Sequence, residues 1–306
     1  MKKIISKNMK DAAIILSGGM DSVTLLHERK EEIALAITFD YGSNHGAREI
    51  SCAAYNCKAL GIEHLVIPLG FVHKYFRSSL LEGASAIPEG HYTAESMKST
   101  VVPFRNGIML SIAAGIAETR GLRRIMIANH AGDHTIYPDC RRPFIEAMSA
   151  AMSEGTDTGV AIEAPYTDIT KTDIALIGKD LGVDYSKTYS CYKGGPLHCG
   201  LCGTCIERKE AFAAAGIPDP TEYADDSSEH LKGPHQRPRE SVREISEGNR
   251  TSGAPSPSPL GGRGRGIGGK LYDAEKPHHI AFAAAGIPDP TEYADDSSEH
   301  PGRTGV

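Results

Sequence analysis

The sequence has no apolar run near the roughly 20 residues that a membrane-spanning helix needs. Its first residues, Met1 to Asn8, also lack the apolar core of a signal peptide. Basic groups are not in excess, because 33 lysines and arginines stand against 39 aspartates and glutamates, for a net charge of −6. A protein that holds a nucleic-acid duplex by neutralising phosphates needs a concentrated basic surface. We therefore expect a cytoplasmic protein with neither a membrane nor a nucleic-acid partner.

The seven cysteines lack the even, spread pattern of a disulfide framework. Four of them crowd between Cys191 and Cys205, while Cys52, Cys57 and Cys140 are scattered. Cys52 and Cys57 would lie about 140° apart around a helix, so they point to different faces. The distribution predicts a metal-binding knot near residue 200 and buried, unpaired thiols elsewhere.

The composition changes near residue 226. Residues 227–306 hold 9 prolines and 12 glycines in 80 positions, or 26%, without apolar periodicity. Such a stretch cannot bury enough apolar surface to offset its ordering entropy, which predicts a disordered, low-complexity tail. The segment AFAAAGIPDPTEYADDSSEH occurs at 211–230 and again, letter for letter, at 281–300. Two identical copies are too few for a repeat array, so we interpret the second as a duplication or a sequence-assembly artefact.

Four short apolar runs of strand length occur at 12–16, 33–39, 64–69 and 123–129, separated by segments of helical spacing. Because these runs are continuous rather than alternating, they indicate a parallel sheet covered on both faces. The predicted fold class is α/β, a doubly wound parallel sheet that binds ligands at the carboxyl ends of its strands. We predict that this sheet domain covers 1–186, that a cysteine segment and a C-terminal helix cover 187–226, and that the tail follows.

The first strand runs directly into Ser17-Gly18-Gly19-Met20-Asp21-Ser22, where a helix is expected to begin. Two glycines let the backbone turn sharply toward an anion, and the helix N-terminus offers unpaired N–H groups. No Gly-Lys-Ser/Thr follows, so the turn is not a Walker A loop. It resembles the SGGxDS loop of PP-loop ATP pyrophosphatases, with an ordinary tight turn as the alternative. In the first interpretation Asp21 positions Mg²⁺ and water on the departing pyrophosphate, which has no Walker-type lysine to neutralise it.

Asp40 stands about twenty positions after the glycine turn, at the end of the second predicted strand. An acidic residue at that place can accept a hydrogen bond from a ribose hydroxyl. The alternative is that Asp40 starts the turn before Gly42.

The cysteines near residue 200 have the spacing Cys191-x₇-Cys199-x₂-Cys202-x₂-Cys205. Four thiolates satisfy tetrahedral Zn²⁺ and leave no open position, so we predict one structural zinc per chain. A [4Fe–4S] cluster and a redox-active CxxC pair are the alternatives. His198 is the competing ligand, but four cysteines already fill the coordination shell.

Taken together, residues 12 to 226 resemble the 7-cyano-7-deazaguanine synthase family of the PP-loop superfamily. The matching blocks are LSGGMDS at 16–22, TFDYG at 38–42, VPFRN at 102–106, HAGDHTIYPDCR at 130–141, PYTDITKTDI at 165–174 and SCYKGGPLHCGLCGTC at 190–205. Ser43-Asn44 departs from the family, in which many members carry Gln-Arg, and the tail has no counterpart in it.

The resemblance implies an ATP-dependent carbon–nitrogen ligase of queuosine and archaeosine precursor biosynthesis. Such an enzyme converts 7-carboxy-7-deazaguanine and ammonia to the 7-cyano base through an acyl-adenylate and an amide. Its cofactors would be ATP, Mg²⁺ with the ATP, and one structural Zn²⁺. Its partners would be these small molecules and a second copy of the chain in a homodimer.

The resemblance and the positions of the motifs also assign the site residues. Catalysis is expected from Asp21, Ser22 and Arg105. ATP is expected to contact Leu16, Ser17, Gly18, Gly19, Met20, Asp21, Ser22, Val23, Thr24, Leu25, Leu26 and Asp40. Substrate binding is expected from Asn106, Asp133, Asp139 and Arg141, and metal binding from Cys191, Cys199, Cys202 and Cys205.

Several of these assignments have structural alternatives. Arg105 could pair with a carboxylate or could be a solvated charge at a helix start. Asp133 could bind the guanine-like edge of the base or form a turn, and Asp139 could pair with Arg141. We expect Cys140 to be a packed thiol rather than a nucleophile.

Three other residues lie near these motifs without an assigned role. Lys171 is expected to meet a phosphate or an acidic neighbour. His130 and His134 follow the fourth predicted strand, at the edge of the sheet where ligands bind.

Two other functions fit parts of the sequence. PP-loop enzymes that adenylate tRNA for thiolation or lysidine formation usually carry a basic extension, which the acidic balance of this chain does not suggest. A zinc-ribbon binding module would explain the cysteines but would leave the glycine turn without a purpose.

Overall fold

A computed structural model gives the structure of residues 10–91 and 97–225. All of them belong to one compact unit, so the cysteine segment lies in the same unit as the sheet. The tail predicted for 227–306, with the second copy of the repeat at 281–300, lies outside the described residues.

Five parallel strands form one sheet in the order β3-β2-β1-β4-β5. The strands are β1 (Ala12–Ile15), β2 (Ile33–Asp40), β3 (Glu63–Pro68), β4 (Arg124–Met126) and β5 (Ala161–Glu163). The predicted doubly wound parallel sheet is confirmed, and its four predicted strands are present. Sequence analysis missed β5, because its three half-buried residues are too few to show a periodic pattern.

Helices connect the strands, and the first begins at Met20, within the glycine turn where a helix was expected. They are α1 (Met20–Glu28), α2 (Gly46–Leu60), α3 (Gly70–Tyr75), α4 (Arg105–Thr119), α5 (Arg142–Glu154), α6 (Lys171–Asp180) and α7 (Gly203–Ala215). Short 3₁₀ turns cover Lys98–Thr100, Ala131–Thr135, Pro138–Cys140 and Tyr185–Lys187. The start of α6 is fixed by a capping box, in which the Asp173 N–H donates to Thr170 Oγ1 over 3.2 Å and the Thr170 N–H donates to Asp173 Oδ2 over 2.8 Å.

The sheet separates two apolar cores. Ile14 and Leu16 pack on one face with buried residues of α1, α6 and α7, including Phe212. Ala13 and Ile37 pack on the other face with α4, including Leu110. Each face is therefore covered by helices, which explains why the strands are apolar without alternation.

The segment Lys98–Thr119, which contains α4, is long and apolar enough by composition to span a membrane, with a mean hydropathy of 1.3. The expectation that no such segment exists is therefore wrong. Half of it is buried inside the protein, and Leu110 and Ala113 pack in the core beside the sheet. A helix buried in this way is apolar because it meets protein on most sides.

A buried ion pair fixes α7 beside the chain that follows it. The side chain of Arg208 is fully buried, and its Nε and Nη2 each donate to Asp219 Oδ1 over 3.2 Å. Its Nη1 donates to Thr188 Oγ1 over 2.8 Å, and its Nη2 also donates to the Tyr185 carbonyl over 3.1 Å. Its guanidinium carbon lies 5.1 Å from the centre of the Phe212 ring. Each polar group of this arginine is thereby satisfied without water.

We expect Arg208→Met to lower the free energy of unfolding by about 3–5 kcal/mol, because the Asp219 carboxylate stays buried without its cation. Arg120→Met is the matched control, since Arg120 and its partner Glu63 are 45% and 50% exposed. Such a surface pair contributes at most about 1 kcal/mol. Urea denaturation of both variants measures the difference, and equal losses would contradict a special role for the buried pair.

Candidate active site and metal centre

One cavity of about 210 Å³ opens at the carboxyl ends of the strands, where the fold class predicts a ligand site. It is lined by the ends of β1 and β2, by the glycine turn and by the residues that follow β4. The chain around the cysteines supplies a further wall through Tyr189, Ser190, Tyr192 and Thr204. The Tyr189 N–H donates to the Gly18 carbonyl over 3.0 Å, so this wall is bonded directly to the glycine turn.

Hydrogen bonds within the glycine turn fix its shape. Gly18 adopts a φ of +86°, and a Cβ there would lie 2.2 Å from the Glu49 carbonyl oxygen, so only glycine fits. The hydroxyls of Ser17 and Ser22 lie 3.0 Å apart, and the Gly19 N–H donates to Ser17 Oγ over 3.2 Å. The turn thus leads into α1 with the helix N-terminus at the cavity.

Of the twelve residues predicted to contact ATP, six line the cavity and six do not. Leu16, Ser17, Gly19, Met20, Asp21 and Ser22 line the cavity. Val23, Leu25 and Leu26 lie in the apolar core, and Thr24 Oγ1 is 2.9 Å from the buried Tyr185 hydroxyl. Gly18 is buried beneath the turn, against α2. Asp40 is exposed and accepts the Gly42 N–H over 3.3 Å, as the turn alternative predicts.

A buried cation from α6 lies beside the glycine turn. Lys171 Nζ is 2.6 Å from Glu207 Oε2 of α7 and 3.5 Å from Asp21 Oδ2. Burial lowers the pKa of Lys171, but the charges of Asp21, Glu207 and Asp133 raise it above its ordinary value. Lys171 therefore keeps its proton and gives the turn the cation that its own sequence lacks.

Asp133 and His130 form a second charged group in the cavity. The His130 N–H donates to Asp133 Oδ2 over 3.1 Å, and His130 Nδ1 accepts the Gly132 N–H over 3.1 Å. The ring proton must then lie on Nε2, which is 3.6 Å from Asp133 Oδ1 and 3.9 Å from Glu207 Oε1. Asp133 forms the turn and also lines the cavity, so the two interpretations are compatible.

Arg105 and Asn106 line the cavity from the first turn of α4. Arg105 Nη1 donates to the Tyr41 hydroxyl over 3.2 Å. Burial lowers the pKa of Arg105, but the groups around it, Tyr41 first, raise it well above the ordinary value. The guanidinium is therefore a permanent cation held beside an aromatic ring rather than in solvent.

Asp139 and Arg141 do not line the cavity. Asp139 Oδ2 accepts the Asn106 N–H over 2.8 Å and so caps α4. Arg141 is exposed, and its Nε donates to the His134 carbonyl over 2.8 Å. Cys140 does line the cavity, where burial raises the pKa of its thiol well above the ordinary value and keeps it protonated.

Sequence analysis missed two further cavity residues, His45 at the N-cap of α2 and Glu49 in its first turn. His45 and Glu49 lie one helical turn apart, with His45 Nε2 3.7 Å from Glu49 Oε2. Their i, i+4 spacing after the TFDYG block was the available signal, because it puts both on one face of a helix.

The four clustered cysteines meet at one point. Their Sγ atoms all lie within 4.8 Å of one another, so the cluster could hold a metal ion. The N–H groups of Cys199 and Cys202 donate to the Sγ atoms of Cys191 and Cys199 over 3.3 and 3.2 Å. Such bonds suit thiolates better than thiols, since a thiolate is the stronger acceptor.

The neighbouring histidine is not part of this cluster. His198 Nε2 accepts the Ser190 N–H over 3.0 Å, and its ring lies 4.5 Å from that of Tyr189. Burial lowers its pKa to about 4, so the ring is neutral. His198 supports the cysteine loop from outside.

Comparisons with known proteins agree with this architecture. The family model described as "Queuosine biosynthesis protein QueC" matches residues 11–216, more than half of the chain. A 7-cyano-7-deazaguanine synthase from Porphyromonas gingivalis is 66% identical over 214 residues, which cover 70% of this chain and 97% of the relative. One from Desulfotalea psychrophila is 51% identical over 217 residues, or 70% of this chain and 99% of the relative.

Among solved structures, NMN synthetase from Francisella tularensis is similar with a TM-score of 0.39 and 14% identity, over 68% of this chain and 78% of that chain. The family match spans the sheet, the glycine turn and the cysteine cluster. The chain therefore belongs to the QueC family of queuosine biosynthesis enzymes.

Proposed function

We propose that this protein uses ATP to convert 7-carboxy-7-deazaguanine and ammonia to 7-cyano-7-deazaguanine. The carboxylate resists ammonia because its oxygens are poor leaving groups, whereas an acyl-adenylate offers AMP as one. Ammonia then gives the amide, and a second adenylation on the amide oxygen lets AMP leave again to form the nitrile. One cavity serves both steps, because each transfers AMP from ATP to an oxygen on the same carbon.

The observation that carries the proposal is the convergence of helix N-termini on the cavity. Met20, Arg105 and Lys171, the first residues of α1, α4 and α6, all line it. Each N-terminus carries a partial positive charge and unpaired N–H groups, which suit the phosphates of ATP. Lys171 and Arg105 add an ammonium and a guanidinium group to this lining, which suit a phosphate and a carboxylate.

Asp21 fits the Mg²⁺ that accompanies ATP. Its Oδ1 is buried without a hydrogen-bond partner among the described residues, while its Oδ2 faces Lys171 at 3.5 Å. A carboxylate oxygen is the ligand that Mg²⁺ prefers, and an ion held by Asp21 would neutralise charge on the departing pyrophosphate. Ser22 orients Ser17 through the contact between their hydroxyls.

The carboxylate of the substrate fits Arg105, whose guanidinium favours planar anions. The amide oxygen Oδ1 of Asn129 lines the same cavity and has no hydrogen-bond partner among the described residues. It can accept an N–H from the guanine-like edge of the base, as can Asp133. Burial raises the pKa of Asp133 within this pocket, despite the opposing charges of His130 and Lys171.

A free base as substrate fits this protein better than tRNA does, because a net charge of −6 does not favour binding of an RNA backbone. We propose a cytoplasmic location for the reaction, because it consumes ATP. The family resemblance supports a homodimer, which light scattering of the purified protein measures directly.

We expect Asp21→Asn to lower pyrophosphate release by about 100-fold or more, because the amide cannot hold Mg²⁺ as a carboxylate does. The assay supplies ATP, ammonium and 7-carboxy-7-deazaguanine, and mass spectrometry identifies the product. Asp157→Asn, at an exposed position outside the cavity, is the control and should match the wild type. Full turnover by Asp21→Asn would remove the assigned role, and release that requires tRNA would favour the tRNA-modifying alternative.

We also propose that the cysteine cluster holds one structural Zn²⁺. Four sulfur ligands complete a tetrahedral shell and leave no position for substrate. The neighbouring sulfurs, followed by burial, raise the pKa of Cys205 far above its ordinary value, so a thiolate at Cys205 needs a cation beside it. The ion would stabilise the loop and the first turn of α7.

We expect a colourless protein with about one zinc per chain, and Cys202→Ser should lose the metal and lower the thermal unfolding midpoint. Metal analysis and calorimetry measure both effects. Cys52→Ser is the control, because Cys52 packs beside the cluster but is not among its four members. A brown protein that contains iron would overturn the zinc assignment.

A further inference from the structure

The proposed reaction contains proton transfers that the groups described so far do not perform. When ammonia attacks the acyl-adenylate, the nitrogen becomes positively charged and must lose a proton before AMP leaves. When the amide is adenylated, the same nitrogen must lose two more protons to become a nitrile. A base close to the reacting carbon is therefore needed in both steps.

Three carboxylate side chains line the cavity within the described part of the chain: Asp21, Glu49 and Asp133. Asp21 faces Lys171, and Asp133 accepts the His130 N–H. Glu49 Oε2 lies 3.7 Å from Nε2 of the His45 ring. Its side chain is 19% exposed, toward the cavity that it lines.

Contacts with two neighbouring segments, the glycine turn and the cysteine segment, fix the position of Glu49. Its carbonyl oxygen packs against Gly18, where a Cβ would approach to 2.2 Å, so α2 abuts the glycine turn at this residue. One turn earlier, His45 Nδ1 lies 3.3 Å from the Tyr192 carbonyl oxygen of the cysteine segment. Because that carbonyl can only accept, Nδ1 carries the ring proton and Nε2 presents a lone pair to Glu49.

The titratable and charged groups coupled to Glu49 are His45, which precedes α2, Cys52 on α2, Arg105 on α4 and Tyr41 after β2. Burial raises the pKa of Glu49 to about 8, against the opposing charge of Arg105. Burial and Arg105 together lower the pKa of His45 to about 4, so it stays neutral. A carboxyl group in this setting gains and loses a proton near neutral pH.

Resting on the proposed function, we propose that Glu49 is the base that removes protons from the reacting nitrogen. Arg105, which would hold the substrate carboxylate, lines the same cavity as Glu49. The carbon under attack would then lie within reach of the Glu49 carboxylate. The other two cavity carboxylates are already engaged, Asp21 with Lys171 and Asp133 with the His130 N–H.

In the first step, the lone pair of ammonia forms a bond to the acyl carbon, and one N–H proton moves to the Glu49 carboxylate. The bond from that carbon to the AMP oxygen breaks, and its electron pair leaves with AMP. Glu49 then returns its proton to water. In the second step, the amide oxygen displaces pyrophosphate from ATP. The nitrogen gives its two protons to Glu49 one after the other, and Glu49 passes each to water. The carbon–oxygen bond breaks with its electron pair on AMP, which leaves the nitrile.

The test separates adenylation from nitrogen transfer in Glu49→Gln, which keeps the size of the side chain but cannot accept a proton. Hydroxylamine, which is a stronger nucleophile than ammonia and is unprotonated at neutral pH, traps the acyl-adenylate as a hydroxamate. We expect Glu49→Gln to form hydroxamate at close to the wild-type rate, while amide formation from ammonia falls roughly 100-fold or more. Glu146→Gln, a 67% exposed position outside the cavity, is the matched control and should alter neither rate.

The outcomes distinguish the two proposals. If the wild type forms no hydroxamate from ATP and 7-carboxy-7-deazaguanine, the proposed function fails and the role of Glu49 fails with it. If the wild type forms hydroxamate but Glu49→Gln loses it as well, Glu49 acts in ATP binding or folding, and its assignment as the base is overturned. Undiminished amide formation by Glu49→Gln overturns it too.

Discussion

The buried ammonium of Lys171 is the interaction on which the site depends. It stands at the first residue of α6, between Asp21 of the glycine turn and Glu207 of α7. A buried charge that loses its partner costs several kcal/mol, of order 3–5. The three elements therefore cannot move apart independently, and the glycine turn is held in place before any nucleotide arrives. Such preorganised charge contributes to catalysis because it needs no rearrangement during the reaction.

Helix α7 joins this ammonium to the cysteine cluster. Cys205, Glu207 and Arg208 lie within its first two turns, and each faces a different partner: the sulfur cluster, Lys171 and Asp219. A metal on the four sulfurs would order the loop that precedes the helix. The helix in turn positions Glu207 beside Lys171. The cysteine segment also donates the Tyr189 N–H to Gly18. A structural metal can thus support catalysis without touching the substrate.

Local patterns in the sequence were enough to predict the sheet, the glycine turn and the four cysteines. Continuous apolar runs, paired glycines and close cysteine spacing each have a physical cause within a few residues. The three residues of β5 are too few to produce such a pattern. Contacts between distant segments could not be predicted either, because nothing near Lys171 in sequence indicates that the Glu207 carboxylate lies 2.6 Å from its ammonium group. Motif position alone likewise put Val23 and Leu25 at the nucleotide, although helix geometry turns them into the core.

The topology also explains why one cavity can combine cations with a base. In a parallel sheet the helices that follow the strands begin at the same edge, so their positive ends converge together with Arg105 and Lys171. These donors suit the oxygens of ATP and of a carboxylate, while Asp21, Glu49 and Asp133 line the same cavity. Ammonia becomes a positively charged adduct once the new bond forms, so a carboxylate nearby is needed to take its proton. Glu49 is the one that we propose for that step, because Asp21 faces Lys171 and Asp133 accepts the His130 N–H.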